Sequence, residues 1–316
     1  MNERAVRVSA VVCTRNRASS IGDAVGSLLA CDHPSFEVVV IDQSTDDATV
    51  AALRAFGSDP RLRVVSTQTK GLGLARNVGL DCAVGRIVAF TDDDCVVPPD
   101  WLTVMERAFD VDESIGVVFC NVVAAAHDHD AGFIPDYVRH GDVLVRSFLR
   151  KLTARGIGAG LAVRRDEVLA MGGFDASLGA GARFSSCEDR DVAIRAIASG
   201  LAVYETAATA VVHAGFRTWQ EGRELTERDW FGSGAAYSKI VSCRQWRALC
   251  VLGYEAFVIG LLKPFEPLLH FRRPQGLRRP LYFARGFLAG VRSPVDRRTM
   301  TFVVAGGITE TQAVPQ

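Results

Sequence analysis

The sequence has no paired cysteines, no excess of charge of either sign and no long hydrophobic segment near its start. Its eight cysteines stand singly, without a CxxC pair, so we expect free thiols in a reducing cytosol and neither a zinc site nor a disulfide framework. The 36 basic and 36 acidic residues cancel, which removes any general attraction to nucleic acid. The apolar run Val8–Cys13 is too short for a secretory signal, so a cytoplasmic protein is expected.

What the sequence does have is 48% hydrophobic residues, enough for a sizeable core, and a regular alternation of strand and helix patterns. This alternation is typical of βαβ units and predicts an α/β fold with parallel strands. The first helix is expected to begin at a Ser19 or Ser20 cap, with Asp23 in its first turn. The first four predicted strands are Arg7–Cys13, Phe36–Ile41, Leu62–Thr67 and Arg86–Phe90.

Three adjacent carboxylates, Asp92, Asp93 and Asp94, follow the fourth strand directly. They repel one another and resist burial, so they need water or a cation. Ligands of open α/β sheets usually lie at the carboxyl ends of the strands, which favours the cation. Hard oxygen ligands such as Asp92 and Asp94 suit Mg²⁺ or Mn²⁺, which leave other coordination positions for substrate phosphates. For the triplet alone, a solvated acidic turn is the alternative.

Two residues that precede the triplet in the chain, Asp42 and Arg76, are candidates for nucleotide contact. Each of them also has a purely structural explanation. Asp42 ends the second strand, where an acid can hydrogen-bond a ribose, but an Asx-turn would also favour aspartate there. Arg76 lies early in a helix, where it can reach a phosphate or stack on a base, or simply face solvent. The glycines Gly71 and Gly73 that open this helix do not match the spacing G-x-G-x-x-G.

The segment 124–155 lacks clear periodicity. Long irregular segments in compact domains are usually functional or mobile, so we interpret it as an acceptor-side loop. The segment Gly156–Arg165 that follows starts with bare backbone around Gly160, which permits close approach to a bound sugar or diphosphate.

Further along, acidic residues occupy the first turn of a predicted helix. Glu188, Asp189 and Asp191 are candidates for chemistry, although the helix dipole favours acids at this position whatever they do. His213 ends an apolar strand, either as a ligand or as a buried imidazole.

Taken together, these segments indicate a family far more specifically than any one of them does. From Val8 to about His213 the chain resembles the family 2 glycosyltransferases. The matching segments are Val11–Arg17, Ile41–Asp46, Gly73–Gly79 (G-x-A-R-N-x-G), Asp92–Asp94 (D-x-D), Gly172–Asp175 (G-G-F-D), Glu188–Asp189 and Val212–His213. Cys13 and Arg15 stand where Pro and Tyr are commoner in the family. The resemblance implies the GT-A fold, a mixed and mainly parallel sheet flanked by helices, over residues 1–215, with a helical extension over residues 216–316.

The resemblance also implies an inverting transfer of a sugar from a UDP-, GDP- or dTDP-linked donor to an acceptor hydroxyl. Asp92, Asp94 and His213 would hold Mg²⁺ or Mn²⁺ against the diphosphate. Asp189 would be the general base, with Glu188 or Asp191 as alternatives, and a single displacement would invert the sugar. The residues expected to bind the nucleotide sugar are Thr14, Arg15, Asn16, Arg17, Asp42, Gly73, Arg76, Asn77, Asp92, Asp93 and Gly160.

Two other functions are open. The run Asp92–Val96 also fits the D-x-D-x-(T/V) loop of aspartyl-phosphate phosphohydrolases, with Asp92 as nucleophile, but that loop normally follows the first strand of its domain. The third function is non-catalytic binding of a nucleotide sugar, against which the acids at Asp94 and Asp189 argue. For a transferase, the acceptor would be a glycan, a lipid-linked molecule or a small molecule, in bacterial cell-envelope or polysaccharide biosynthesis.

After Phe216 the pattern turns helical. The run Leu249–Leu262 is mostly apolar but short for a membrane span, and Pro264 and Pro267 are expected to end it. Nine basic and three acidic residues follow Leu262. An apolar helix beside such a basic segment can dock on the anionic inner face of a cell membrane, and a packing or homodimer helix is the alternative.

Overall fold

The computed structural model describes residues 6–270 and 276–304. Strands β1 to β13 are, in chain order, Val8–Thr14, Phe36–Asp42, Leu62–Ser66, Ile87–Asp92, Cys95–Val96, Ile115–Ala124, Gly132–Phe133, Val143–Val145, Leu161–Arg164, Ala202–His213, Arg217–Thr218, Val295–Asp296 and Thr301–Phe302. Helices α1 to α10 are Ala18–Leu29, Ala48–Leu53, Leu72–Cys82, Trp101–Ala108, Phe148–Lys151, Arg165–Ala170, Glu188–Ala198, Trp219–Ser242, Leu249–Gly253 and Arg279–Val291. Further helical segments of 3-10 or π type are Arg54–Phe56, Gly158–Gly160, Trp246–Ala248, Tyr254–Leu262 and Lys263–His270.

The main sheet has nine strands in the order β3-β2-β1-β4-β9-β6-β10-β5, with β8 paired to β10. Strands β1 to β4 are parallel to one another, as are β6 and β10. Strand β9 runs antiparallel between β4 and β6, and β5 and β8 pair antiparallel with β10. The predicted α/β fold with a mixed, mainly parallel sheet is therefore confirmed. Parallel strands of this kind are buried on both faces, which explains their nearly continuous runs of Val and Ile.

Alternate residues of β1 face opposite sides of the sheet, as the strand period of two requires. Val8, Ala10 and Val12 pack with helices α1 and α4 in one hydrophobic core. Val11 belongs to a second core on the other face, with residues of α3 and α7.

Helix α1 does not start as predicted. It begins at Ala18, Arg17 is its N-cap residue without a side-chain capping bond, and its first turn contains no acid. The expected serine cap and the expected place of Asp23 are therefore wrong. The side chain of Arg17 instead pairs with Asp93 and Asp94, which follow strand β4.

The C-terminal third shares the second core. Tyr237 and Ile240 of α8, Phe283 of α10 and Phe302 of β13 are buried among residues of the sheet and of α7. Helix α8 begins with a complete capping box formed by Thr218 and Glu221.

Helices α8 and α10 pack backbone to backbone through glycines. A Cβ added to Gly286 would overlap the carbonyl of Phe231, and one added to Gly234 would overlap the carbonyl of Phe283. Only glycine allows the two helices to approach so closely.

Residues Trp246–Glu266 form a helix that is long and apolar enough to cross a membrane by length and composition, with a mean hydropathy of 1.6 and 28% of that stretch buried. Pro264 and Pro267 do not end the helical path as predicted. It continues through Lys263–His270 with 3-10 geometry, which does not rely on the i to i−4 bonds that proline removes. Arg272 and Arg273 of the basic segment lie outside the described residues.

Candidate active site

The predicted site residues of the first four strands meet at one edge of the sheet. Thr14 at the end of β1 is in register with Asp42 at the end of β2, and Cys13 is in register with Asp92 at the end of β4. The carboxyl ends of parallel strands are where open α/β sheets bind ligands.

Asp92, Asp94, Cys95 and His213 form a cluster in which the potential ligand atoms all lie within 4.8 Å of one another. The pairing of β5 with β10 places His213 opposite Cys95, so a residue distant in sequence reaches the acidic turn. The Nε2 atom of His213 is 3.3 Å from Asp94 Oδ1, and its Nδ1 is 2.9 Å from the carbonyl of Pro135. A second ring nitrogen held by a carbonyl is the usual support of a metal-binding histidine.

The electrostatics of this cluster fit a hard divalent cation. Burial raises the pKa of Asp92, although Arg76 opposes the shift. Burial also acts against ionisation of Asp94, but hydrogen bonds from His213 and Arg17 hold its pKa at about 2. Two carboxylates and an imidazole fit Mg²⁺ or Mn²⁺. Burial raises the pKa of the Cys95 thiol, so Cys95 stays protonated and is a poor ligand for such an ion.

The middle acid of the triplet points towards the loop after β1. Asp93 accepts hydrogen bonds from Thr14 Oγ1 at 2.6 Å and from Arg17 at 2.7 Å, and Arg17 also donates to Asp94 Oδ2 at 2.7 Å. Burial raises the pKa of Asp93 to about 6 despite these partners. Asp93 therefore fixes the β1–α1 loop to the acidic turn and faces away from the cluster of Asp92 and Asp94.

Arg15 and Asn16 form the exposed tip of that loop. Asn16 has a positive φ of 56°, and its amide oxygen accepts from the Thr45 amide at 2.9 Å. The Arg15 side chain donates to the Gln43 carbonyl at 3.3 Å. Asp42 accepts from the Ser44 amide at 2.9 Å, which is the Asx-turn that its position also favours. The tips of the first two βα loops are thus joined beside the acids.

Arg76 is not a surface residue: it is 2% exposed. Its guanidinium lies between two acids, 3.0 Å from Glu188 Oε1 and 3.7 Å from Asp92 Oδ1, and over the ring of Phe174 at 5.4 Å. Burial raises the pKa of Glu188 to about 7, against the effect of Arg76. Arg76 therefore connects the acids of this cluster to the start of α7, and its contact with a nucleoside stays a prediction.

Three other residues predicted to bind the nucleotide sugar make close contacts within the protein. Asn77 exchanges hydrogen bonds with the backbone of Phe174 at 2.9 and 2.7 Å. A Cβ on Gly73 would lie 2.5 Å from the Asp175 carbonyl, and one on Gly160 would lie 2.7 Å from the sulfur of Cys120. Close contacts within the protein account for Gly73, Asn77 and Gly160, and their contact with the donor stays a prediction.

Asp189, next in the chain after Glu188, is half-buried. Its Oδ2 accepts from the backbone amide of Gly158 at 3.0 Å, and its Oδ1 accepts from the amide of Arg190 at 2.7 Å. These bonds orient the carboxylate at the start of α7, across Arg76 from Asp92.

Asp191 lies in a different environment, and its place as an alternative base is not supported. It is 3% exposed and ion-paired to Arg195 at 2.8 Å and to Lys239 of α8 at 2.6 Å. Lys239 also binds Asp175, the acid of the G-G-F-D segment. A buried carboxylate with two cationic partners has no access to an acceptor.

Sequence reasoning missed several contributors to the site. The support of His213 by the Pro135 carbonyl and of Asp189 by the Gly158 amide comes from backbone groups, which leave no side-chain signal. The pairing of Lys239 with Asp175 and Asp191 spans distant parts of the chain. Cys95 was visible beside the triplet, and only its packing shows that its thiol faces the acids.

Comparison with known proteins places this site in a family. The model of glycosyl transferase family 2 matches residues 9–169, just over half of the chain. Among solved structures, the mannosyltransferase PcManGT from Pyrobaculum calidifontis, in complex with GDP-Man and Mn²⁺, superposes with a TM-score of 0.61 at 20% identity, covering 94% of this chain and 78% of that one. Residues 1–349 of S. aureus TarS in complex with UDP give a TM-score of 0.55 at 17% identity, covering 98% of each chain. These likenesses confirm the GT-A fold.

The curated relatives are consistent with this family. The succinoglycan biosynthesis protein ExoO of Rhizobium meliloti is 40% identical over 119 residues, which are 37% of this chain and 34% of that protein. The glucosyl-dolichyl phosphate glucuronosyltransferase of Haloferax volcanii is 25% identical over 191 residues, 55% of this chain and 58% of its own length. The chain thus matches only about a third of ExoO. The matches decide against the phosphohydrolase alternative, and the chain belongs to glycosyltransferase family 2, as an enzyme with the GT-A fold.

Proposed function

We propose that the chain is an inverting, metal-assisted glycosyltransferase that uses a nucleotide-diphosphate sugar. The observation that carries this proposal is the arrangement around Arg76, whose guanidinium joins Asp92 of the acidic cluster to Glu188, the neighbour of Asp189. A metal-binding carboxylate and a candidate base thus lie on opposite sides of one buried cation.

On the donor side, Asp92, Asp94 and His213 would hold Mg²⁺ or Mn²⁺. When bound, such an ion offsets the negative charge that develops on the leaving diphosphate. The loop tips with Arg15, Asn16 and Asp42 border the same edge and are candidates for nucleoside contact. Arg17 now pairs with Asp93 and Asp94, and it is about 40% exposed, so it can turn towards a phosphate without breaking the core.

On the acceptor side, Asp189 would take the proton of the acceptor hydroxyl. Two backbone amides orient its carboxylate, and it has no competing cation among the ion pairs of the described residues. Glu188 is engaged by Arg76, which favours Asp189 over Glu188 as the base. Attack from the face opposite the leaving diphosphate inverts the anomeric centre.

The names of the relatives and the exposed apolar surface support the proposed acceptor and location. Relatives are named for succinoglycan, dolichyl phosphate and, in Bacillus subtilis, teichuronic acid, so we propose a glycan or lipid-linked acceptor in cell-surface polysaccharide synthesis. The C-terminal helices expose apolar side chains that would rest on the inner face of the membrane: Phe257, Leu261, Leu262, Phe265, Leu281 and Leu288. Residues 216–304 would serve as this membrane-facing extension while sharing the core of the catalytic domain. A homodimer through the same surface is the alternative.

The donor test is a thermal-shift screen of UDP, GDP and dTDP with and without Mn²⁺, since a bound ligand stabilises the folded state by mass action. We expect one nucleotide to raise the melting temperature only when Mn²⁺ is present, and its sugar derivative to release nucleoside diphosphate. Binding without release would favour a non-catalytic protein, and no binding by any nucleotide would contradict the proposal.

The membrane test is flotation with anionic liposomes. The wild type should float, and a variant carrying Phe257→Ser, Leu261→Ser and Phe265→Ser should not. Size-exclusion chromatography of both proteins tests the dimer: a loss of dimer without any flotation of the wild type would contradict membrane docking.

A further inference from the structure

A small cavity, about 20 Å³ with Glu255 in place, lies beside Asp189, between the segment after α5 and the apolar C-terminal helix. Its lining includes Lys151, Arg155, Arg190, Tyr237 and Glu255. Arg190 directly follows Asp189, and Arg155 lies three residues before Gly158, whose amide binds the Asp189 carboxylate. The cavity therefore adjoins the carboxylate proposed to deprotonate the acceptor.

Among the residues that line this cavity, three are basic and one is acidic. Arg155 contacts both oxygens of Glu255, at 3.1 and 3.2 Å, and Arg190 contacts one of the same oxygens at 3.0 Å. Glu255 is 5% exposed and is thus the single carboxylate shared by two arginines, while Lys151 adds a third basic group.

Lys151 has no acidic partner in the described chain. It is 6% exposed, and its ammonium donates to the carbonyl of Ala154. The neighbouring acid Glu205 is already bound by Tyr137 at 2.8 Å and by the Gly156 amide at 2.9 Å. Burial lowers the pKa of Lys151 to about 8, and a bound anion would favour the charged form of the amine. Buried lysines without a counter-charge are rare.

We propose that the cavity is a subsite for a phosphate group on the acceptor, bound by Lys151, Arg155 and Arg190, and that the Glu255 carboxylate occupies this place when no acceptor is present. Arginine and lysine together suit a phosphate ester, the first by paired hydrogen bonds and the second as a point charge. The inference rests on the proposed function, because it places the acceptor hydroxyl near Asp189.

Glu255 belongs to the apolar segment Trp246–Glu266. The segment whose surface would contact a membrane therefore also supplies the carboxylate that fills the anion subsite. Displacement of Glu255 by a phosphate would alter the packing of that segment against Arg155 and Arg190.

The experiment measures binding of inorganic phosphate, farnesyl phosphate and uncharged farnesol by tryptophan fluorescence, in EDTA and without nucleotide. EDTA removes divalent ions, so the donor site does not contribute. Both phosphates should bind and farnesol should not. Tighter binding of farnesyl phosphate than of inorganic phosphate would identify a lipid phosphate as the source, whereas equal binding would indicate a non-lipid phosphate ester.

Variants then locate the binding. Lys151→Met should weaken phosphate binding about tenfold, the cost of one charge-assisted contact, and Arg155→Gln should do the same if Lys151→Met does not fold. Glu255→Gln should tighten binding about tenfold because it removes the competing carboxylate. The matched controls are Glu266→Gln, an exposed acid of the same segment, and Arg150→Gln, an exposed arginine beside Lys151.

Absence of phosphate binding, binding unchanged in both Lys151→Met and Arg155→Gln, or weaker binding in Glu255→Gln would overturn the proposal. A loss in Arg150→Gln equal to that in Lys151→Met would place the anion on the outer surface and overturn it as well. Failure here with an intact Mn²⁺-dependent nucleotide shift would leave the proposed function standing, and the reverse result would refute that function alone.

Discussion

Asp189 and Asp191 lie two residues apart in the first turn of one helix, and their surroundings are opposite. Asp189 is half-buried and held by two backbone amides. Asp191 is buried against Arg195 and Lys239, and Lys239 also neutralises Asp175. Asp189 has no cationic partner among the ion pairs of the described residues, whereas the two acids of the buried network, Asp175 and Asp191, are balanced by the two cations Arg195 and Lys239. Charge balance, more than acidity or position in a motif, distinguishes the acid proposed to react from the buried, paired ones.

The most direct test of this difference is to neutralise each acid in turn. Asp189→Asn should lower turnover by about 10²- to 10⁴-fold, the usual contribution of a general base, with little change in the free energy of unfolding. Asp191→Asn should instead destabilise the fold while the remaining folded protein keeps its turnover. Steady-state kinetics and urea unfolding of both variants measure the two effects. A large loss of turnover per folded molecule in Asp191→Asn would contradict the assignment.

Removing the central cation of the buried network should cost most in stability. Lys239→Met leaves Asp175 and Asp191 with one cation fewer in a dry environment, and breaking a buried pair in this way costs about 3–5 kcal/mol. The control is Lys263→Met, an exposed lysine, for which the free energy of unfolding should barely change. Equal stability of the two variants would show that the network is not needed.

Binding of Mn²⁺ should stabilise the protein through the cluster of Asp92, Asp94 and His213. At a Mn²⁺ concentration about 100 times its dissociation constant, the wild type should gain about 2.7 kcal/mol of stability, and Asp94→Asn should lose this gain. Asp93→Asn is the matched control, because Asp93 faces Thr14 and Arg17 and should keep the gain. The same response in both variants would contradict the division of the triplet that the structure shows.

A substitution at the close contact of α8 with α10 tests whether the C-terminal third is part of the core. Gly286→Ala should destabilise the protein by about 1–3 kcal/mol, since the added methyl group overlaps the Phe231 backbone and overpacking has this cost. Gly253→Ala is the control, because no atom lies within 4 Å of its added Cβ, and a helical alanine there should be neutral or stabilising. Thermal and urea unfolding measure both changes.

The last effect expected is a pH slope. Glu188 has a folded-state pKa of about 7, raised from 4.5, so the folded state binds more protons than the unfolded chain between these values. Its contribution to stability is present below pH 4.5 and is lost as the pH rises to 7. Relative to wild type, Glu188→Gln should remove a decline of up to about 1.4 kcal/mol per pH unit in this window. Unfolding measured at several pH values would detect it, and parallel profiles would contradict it.

The fold and the outline of the site were predictable because their signals are local. Strands of Val and Ile that end on Asp42 and Asp92 place polar groups at one sheet edge whatever the rest of the chain does. The internal contacts of Arg76, Asn77, Gly73 and Gly160 were not predictable, since motif residues that bind a ligand and motif residues that fix loops around it look alike in sequence. Helix α1 also began elsewhere than its serines suggested.

The sequence by itself determined the α/β order of elements, the acidic turn after the fourth strand and the family. Only the tertiary structure decided that His213 joins Asp94, that Arg76 is buried between two acids, that Asp191 is paired with Lys239 and that Lys151 has no ion-paired acid among the described residues. The physical reason is that secondary structure follows from side-chain periodicity along a few residues. The reactivity of a charged group, in contrast, depends on burial and on counter-charges that reach it from distant parts of the chain.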